Sequence, residues 1–157
     1  MERERAKDLL SSRGWLALLP DALRYDMLAR TVLLKFPKGS PIYAPQDAPG
    51  GMYGLVSGTL AFSMPSALAQ PRFIHSAQPG LWFGEGPVIT GQPRRVGVLA
   101  RSEVVTLHIP LASVNDMTTS DPTIWRYLAM NALISFDIVL QAFDDMNVRD
   151  PLIRISS

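Results

Sequence analysis

Residues 51–60 read Gly-Met-Tyr-Gly-Leu-Val-Ser-Gly-Thr-Leu, the pattern of two short apolar strands that meet at a glycine turn. Ser57-Gly58-Thr59 places glycine where a tight turn needs a positive φ. The pattern predicts strands over 52–56 and 59–63 with a hairpin between them.

The same texture of short apolar runs, cut by glycine and proline, extends to both sides of this hairpin. It predicts further strands over 32–36, 41–43, 72–76, 96–100 and 103–108, about eight strands in all. So many short strands favour a mainly β fold with helices, a double-stranded β-helix or jelly-roll-like β-roll. Apolar residues at helical spacing from Gly14 to Arg30 predict two short N-terminal helices, interrupted at Pro20, and 110–119 is predicted to be a helical connector.

A long C-terminal helix is predicted from Asp121-Pro122, because aspartate caps a helix, proline suits its first position, and neither glycine nor proline recurs until Pro151. From Pro122 to about Met146 it would be about 37 Å long. Seven of its residues follow a strict 4-3 spacing, the pattern of a coiled-coil seam: Trp125, Ala129, Ala132, Phe136, Val139, Phe143 and Met146. We therefore expect a dimerisation helix and a homodimer. The alternative is a helix buried wholly within one subunit.

The predicted organisation has three parts. Residues 1–120 form the roll with its N-terminal helices, 121–147 form the dimerisation helix, and 148–157 form a hinge. Only nine residues follow Val148, too few for a helix-turn-helix domain, and we expect the chain to be a truncated piece of a longer protein.

Composition excludes several functions. The chain of 157 residues is 47% hydrophobic, has a net charge of +1 and contains no cysteine. A net charge this small provides no broad field for binding DNA, and without cysteine there is no disulfide, thiolate zinc site or cysteine-ligated iron-sulfur cluster. The charged N-terminus adjoins no long apolar run, which predicts a cytoplasmic protein without a membrane partner.

Neither a metal site nor an enzyme is predicted. His75 and His108 are the two histidines, and neither has a second ligand residue at metal-binding spacing. No nucleophile elbow, catalytic-triad context or Walker-type loop occurs, so we expect no catalytic residues. Haem bound through His75 and a cupin-type enzyme are the minor alternatives.

Three stretches in order resemble one known family: Lys38-Gly39-Ser40-Pro41-Ile42-Tyr43, the hairpin at 51–60, and Trp82-Phe83-Gly84-Glu85 followed by Arg94-Arg95. Together they resemble the N-terminal, cyclic-nucleotide-binding-like effector domain of Crp-Fnr transcription regulators. The resemblance covers about residues 14–150, and Asp121-Pro122 falls where that family has its dimer helix.

The resemblance implies a phosphate-binding cassette between Gly84 and Gly97, with six candidate ligand residues: Gly84, Glu85, Gly86, Arg94, Arg95 and Val96. By the resemblance, Glu85 accepts a hydrogen bond from a ribose hydroxyl and an arginine binds the cyclic phosphate. Counting without gaps makes that arginine Arg95, which we favour, whereas a one-residue deletion makes it Arg94.

Departures from the family pattern bear on the ligand. Val96-Gly97 stands where the cAMP-binding pattern has serine or threonine and then alanine, and Gly86-Pro87 removes an N–H from the helix start. Val139 and Leu140 replace the polar residues that reach the base. The effector is therefore a cyclic nucleotide (cAMP or cGMP), another small molecule, or none, in which case Glu85 and Arg95 pair to tie down the loop.

The resemblance implies the effector-sensing and dimerisation domain of a bacterial Crp-Fnr regulator, which contacts DNA through a helix-turn-helix domain absent from this chain. The alternative is a stand-alone dimeric module that regulates a protein partner.

Overall fold

The structure is a computed structural model that describes residues 2–63, 71–75 and 78–149, without the side chains of 71–75, 143 and 146–149. The predicted hinge at 148–157 lies outside the described residues from 150 onward. No helix in the described part is long and apolar enough to cross a membrane.

Eight strands in the described ranges form two antiparallel sheets of four strands each. They are β1 Val32–Phe36, β2 Pro41–Tyr43, β3 Met52–Ser57, β4 Leu60–Ser63, β5 Pro71–His75, β6 Trp82–Phe83, β7 Gly97–Ala100 and β8 Val104–Ile109. The sheet orders are β1-β8-β3-β6 and β2-β7-β4-β5. This arrangement confirms the predicted roll. Seven of the eight strands were predicted, with ends that agree to within one residue, whereas β6 was not predicted. Ser76, predicted to end a strand, lies outside the described residues.

The predicted hairpin at residues 51–60 is present and joins β3 to β4. Gly58 has φ +110°, and a Cβ there would lie 2.5 Å from the carbonyl oxygen of Glu103. Both the backbone conformation and the lack of space require glycine at this turn.

The helices are α1 Glu2–Ser12, α2 Asp21–Ala29, α3 Glu85–Thr90, α4 Leu111–Ser120 and α5 Ile124–Arg149, with a 3₁₀ turn at Trp15–Leu18. The 3₁₀ turn and α2 are the two predicted N-terminal helices. Helix α1 was not predicted from the sequence, because it is mostly charged and buries only Ala6 and Leu10 on one side. Helix α5 begins two residues later than predicted, and the Thr123 N–H donates to the Asp121 carboxylate at 3.1 Å.

Two apolar clusters stabilise the fold on opposite sides of the first sheet. One fills the roll and includes Leu55, Phe83 and Val104. The other lies against the helices and includes Trp15, Trp82, Leu107 and Leu128. Trp82 and Phe83 are neighbours in β6 and point to opposite clusters, as alternation along a strand requires. Strand β6 thereby fixes the start of the segment that carries the candidate ligand residues.

Candidate functional site

A cavity of about 450 Å³ opens where residues 84–96 meet the roll and α5. Its walls are mostly apolar, with five polar or charged side chains among them. The lining residues are Tyr43, Phe62, Leu81, Phe83, Gly84, Glu85, Gly86, Pro87, Thr90, Pro93, Arg94, Arg95, Val96, Ser135, Ile138 and Val139. All six candidate ligand residues line this one cavity.

Gly84 turns the chain from β6 into α3. Its φ of +95° lies in the left-handed region, and a Cβ there would come within 2.9 Å of the Gly51 carbonyl oxygen. The turn places the side chain of Glu85 inside the cavity wall, where the residue is only 8% exposed.

Arg94 is the buried arginine of the pair, with 3% of its surface exposed. Its Nη1 donates to the Gly84 carbonyl oxygen at 2.9 Å and its Nη2 to that of Gly51 at 2.8 Å. The guanidinium carbon also lies 4.0 Å from the centre of the Tyr43 ring, a cation–π contact. The floor of the cavity therefore carries a fixed positive charge.

Arg94 faces inward because its backbone pairs with the loop after β2. Its N–H donates to the Asp47 carbonyl at 2.8 Å, and its carbonyl accepts from the Gln46 N–H at 2.7 Å. Arg95, the next residue in an extended segment, is exposed and lines the cavity from its outer side. The two arginines therefore have different environments, a buried one that is fixed and an exposed one at the rim.

Glu85 is a buried carboxyl that is influenced by both polar and charged groups. Burial raises its pKa, while its own backbone N–H, Ser135, the positive charge of Arg94 and Asn131 lower it. In the described part of the chain, no ion pair within 4.0 Å joins Glu85 to Arg94 or Arg95. The loop is therefore held by the carbonyl contacts of Arg94 and not by a Glu85–Arg95 ion pair.

Helix α5 contributes Ser135, Ile138 and Val139 to the cavity wall. One turn earlier, buried Asn131 donates from Nδ2 to the Trp82 carbonyl oxygen at 3.2 Å. No role was predicted for Asn131 or Ser135 from the sequence. Their i, i+4 spacing on an otherwise apolar helix side was the signal that could have identified them.

The predicted seam residues of α5 lie mostly on its outer side. Trp125, Ala129, Phe136 and Val139 are exposed and Ala132 is partly buried, while the side chains of Phe143 and Met146 lie outside the described set. Leu133 and Leu140 extend the exposed apolar surface. Val139 belongs both to this surface and to the cavity wall.

No group of three or more metal-binding side chains occurs among the residues described. His108 stacks on Tyr53 with ring centres 4.3 Å apart, and its Nδ1 lies 3.0 Å from the Met52 carbonyl oxygen. His75 lies in β5, and its side chain is outside the description.

What the site offers chemically is a fixed guanidinium, a second arginine at the rim, a buried carboxyl and apolar walls. This combination suits an anion with an apolar body.

Comparison with known proteins agrees with this chemistry. The family model described as "Cyclic nucleotide-binding domain" matches residues 33–121, more than half of the chain. A cAMP-dependent protein kinase type II regulatory subunit from Drosophila melanogaster is 30% identical over 106 residues, which are 68% of this chain and 28% of that protein. The chain thus aligns with less than a third of that relative's length.

Solved structures of other proteins share the fold, among them the following two. One is from Ruegeria pomeroyi and is described as cyclic nucleotide binding: its TM-score is 0.71 at 15% identity, over 92% of this chain and 64% of that chain. The other is the N-terminal domain of a transcriptional regulator from Streptomyces coelicolor, with a TM-score of 0.64 at 18% identity, over 86% of this chain and 94% of that chain. At such low identity these likenesses establish the fold alone.

Proposed function

This chain belongs to the cyclic nucleotide-binding domain family, and on that basis we propose that it is the effector-sensing and dimerisation region of a bacterial Crp-Fnr type transcription regulator. The cavity binds a cyclic nucleotide, cAMP or cGMP. Helix α5 passes the response to a helix-turn-helix domain outside this chain. The regulator acts in the cytoplasm and catalyses no reaction.

The buried guanidinium of Arg94 is the observation that carries the proposal. A buried charge without a counter-ion is costly, and no described carboxylate lies within 4.0 Å of Arg94. The guanidinium has five N–H donors, and its contacts with Gly84 and Gly51 account for two of them. A cyclic phosphate at the cavity floor supplies the missing negative charge and accepts charge-assisted hydrogen bonds.

Arg95 and Glu85 complete the polar part of the proposed site. Arg95 lies at the rim and adds a second positive charge that attracts an anionic ligand. Glu85 accepts a hydrogen bond from the ribose hydroxyl. Phe83, Val96 and Ile138 provide an apolar wall for the base. The site thus separates a charged end from an apolar end, as a cyclic nucleotide does.

Dimerisation through α5 belongs to the same proposal. Its outer side exposes Trp125, Leu133, Phe136, Val139 and Leu140, an apolar surface that a second copy of the helix would cover. Because Val139 also lines the cavity, ligand binding and the arrangement of the two helices are coupled.

Isothermal titration calorimetry and thermal unfolding with cAMP, cGMP and non-cyclic AMP test the ligand assignment. One cyclic nucleotide should bind and raise the melting temperature, because ligand at 100 times its Kd stabilises a protein by about 2.7 kcal/mol. AMP should bind more weakly, since its phosphate is not closed onto the ribose. Absence of heat and of any melting shift with both cyclic nucleotides at millimolar concentration would refute the proposal.

A stand-alone module that regulates a protein partner is the second candidate. It is supported by the sequence relative, which is by name the regulatory subunit of a protein kinase. The reading frame downstream of Ser157 distinguishes the two candidates. A helix-turn-helix domain encoded there supports the first, and a stop codon directly after Ser157 supports the second.

A further inference from the structure

The ring of Tyr43 lies against the buried guanidinium of Arg94. The guanidinium carbon is over the ring, 4.0 Å from the ring centre, which is the geometry of a cation–π contact. The carbonyl oxygens of Gly84 and Gly51 accept hydrogen bonds from Nη1 and Nη2 of the same group. The guanidinium is thus held at two nitrogens by hydrogen bonds and at its carbon by the ring.

Tyr43 is itself held by other aromatic side chains. It is the last residue of β2, and its ring packs on Tyr53 and on Phe83, with ring centres 6.0 Å and 6.3 Å apart. Phe83 directly precedes Gly84, whose carbonyl oxygen accepts from Arg94. One aromatic cluster therefore connects the Tyr43 ring to the peptide group that binds the same guanidinium.

The ring also partly offsets the charge of Arg94. No described carboxylate lies within 4.0 Å of this guanidinium, and the face of an aromatic ring attracts a cation. Burial raises the pKa of the Tyr43 hydroxyl above the ordinary 10.0, although the positive charge of Arg94 lowers it. Tyr43 is therefore a neutral ring near pH 7 and not a phenolate counter-ion, so the positive charge remains available to a ligand.

We propose that Tyr43 is a positioning residue of the ligand site, whose ring holds the Arg94 guanidinium so that the N–H groups not bound to carbonyl oxygens meet the cyclic phosphate. The inference rests on the proposed function, in which the ligand is a cyclic nucleotide.

Orientation matters because a guanidinium carries its five N–H donors in one rigid plane. The two carbonyl oxygens take two donors, and the others bind a phosphate only from fixed directions. An arginine loses rotamer freedom when it binds a ligand, and a side chain that is already held in place loses less. Tyr43 therefore contributes to ligand affinity through Arg94.

Titration calorimetry with cAMP and with cGMP tests this role in variants of Tyr43. Tyr43→Leu removes the ring and should weaken binding of the cyclic nucleotide that the wild type binds by about tenfold. Tyr43→Met, a second variant without a ring, should behave in the same way. Tyr43→Phe keeps the ring and should bind within about twofold of the wild type.

Phe36→Leu is the matched control for loss of an aromatic ring. Phe36 packs in the same apolar cluster inside the roll, with its ring centre 6.2 Å from that of Tyr53. It is not among the described residues that line the cavity. Phe36→Leu should therefore lower the free energy of unfolding and leave the ligand affinity as in the wild type.

NMR of the protein without ligand separates positioning from packing. Rotation of an unrestrained guanidinium averages its Nη–H signals, whereas a held guanidinium gives separate signals. Arg94 should give separate signals in the wild type, Tyr43→Phe and Phe36→Leu, and averaged signals in Tyr43→Leu and Tyr43→Met.

Two results would overturn the role of Tyr43. One is equal ligand affinity in the variants with and without the ring, and the other is separate Arg94 signals in the variants without it. If the wild type binds neither cyclic nucleotide, the proposed function fails, and the NMR comparison still decides whether Tyr43 holds Arg94.

Discussion

The guanidinium of Arg94 donates a 2.8 Å hydrogen bond to the carbonyl oxygen of Gly51, 43 residues earlier in the chain. Glycine is required at position 51 because a Cβ there would lie 1.8 Å from the Ile109 carbonyl oxygen. A Cβ on Gly50 would likewise lie 2.7 Å from Arg94 Nη2. The close approach of these backbones is what allows the arginine to be fixed by carbonyl groups.

Gly51→Ala should therefore destabilise the protein severely. The added methyl group overlaps backbone atoms that cannot move without separating β3 from β8, and we expect a loss of about 3 kcal/mol or more in the free energy of unfolding. Urea unfolding measures it. Gly86→Ala is the matched control, since a Cβ at Gly86 meets no atom within 4 Å. Equal stabilities of the two variants would contradict this account of the glycine.

Arg94→Lys should lower both stability and ligand affinity, because an ammonium group cannot reproduce the fork that contacts Gly84 and Gly51. We expect a loss of about 1–3 kcal/mol in unfolding free energy and about ten- to a hundredfold in cAMP affinity. Arg95→Lys is the comparison and should change affinity less than about threefold, since Arg95 is exposed. A larger affinity loss for Arg95→Lys would instead favour the gap-free alignment.

The sequence favoured Arg95 as the phosphate-binding arginine, whereas the structure buries Arg94, because the alignment depends on the length of one loop. Only the pairing of Arg94 with Gln46 and Asp47 shows which side chain faces inward. These contacts are distant in sequence and follow no local pattern. The candidate residues could be predicted as a group, but their separate roles could not.

The strands and the long helix were predictable because periodicity and turn chemistry are local signals. Helix α1 was not, because tertiary packing of Ala6 and Leu10 stabilises a segment whose other residues are mostly charged. Ser135 was missed for a related reason. A serine on a helix is ordinary by itself, and only the folded structure shows that Ser135 lines the cavity.

His108 should make the protein less stable as the pH falls below about 6.5. Burial lowers its pKa from the ordinary 6.5, and the positive charge of Arg94 adds to this, while contact with the Met52 carbonyl opposes it. Below that pH the unfolded chain binds a proton more readily than the folded chain does, so stability decreases. Urea unfolding from pH 7.5 to pH 5 should show a smaller decrease in His108→Gln than in the wild type.

The pH profile of His108→Gln must be compared with that of the wild type, because the contribution of Glu85 to stability changes with pH in the opposite direction. Its raised pKa means that the folded protein takes up a proton more readily as the pH falls. This contribution is common to the wild type and to His108→Gln, so the difference between their profiles reports on His108. Parallel profiles would show that His108 does not contribute.

Phe136→Asp should disrupt the proposed dimer and leave a monomer. Phe136 is 56% exposed at the centre of the apolar side of α5, between Leu133 and Val139, and a buried carboxylate in a helix–helix interface is costly. Size-exclusion chromatography with light scattering, at tens of micromolar protein, measures the mass.

Leu18→Asp is the control, because Leu18 is 53% exposed but belongs to the N-terminal 3₁₀ turn, and this variant should remain dimeric. Since Val139 lies on both the apolar surface and the cavity wall, Phe136→Asp should also weaken cAMP binding, whereas Leu18→Asp should not. A monomeric wild type, or a Phe136→Asp variant with unchanged mass, would show that the exposed side of α5 is not the dimer interface.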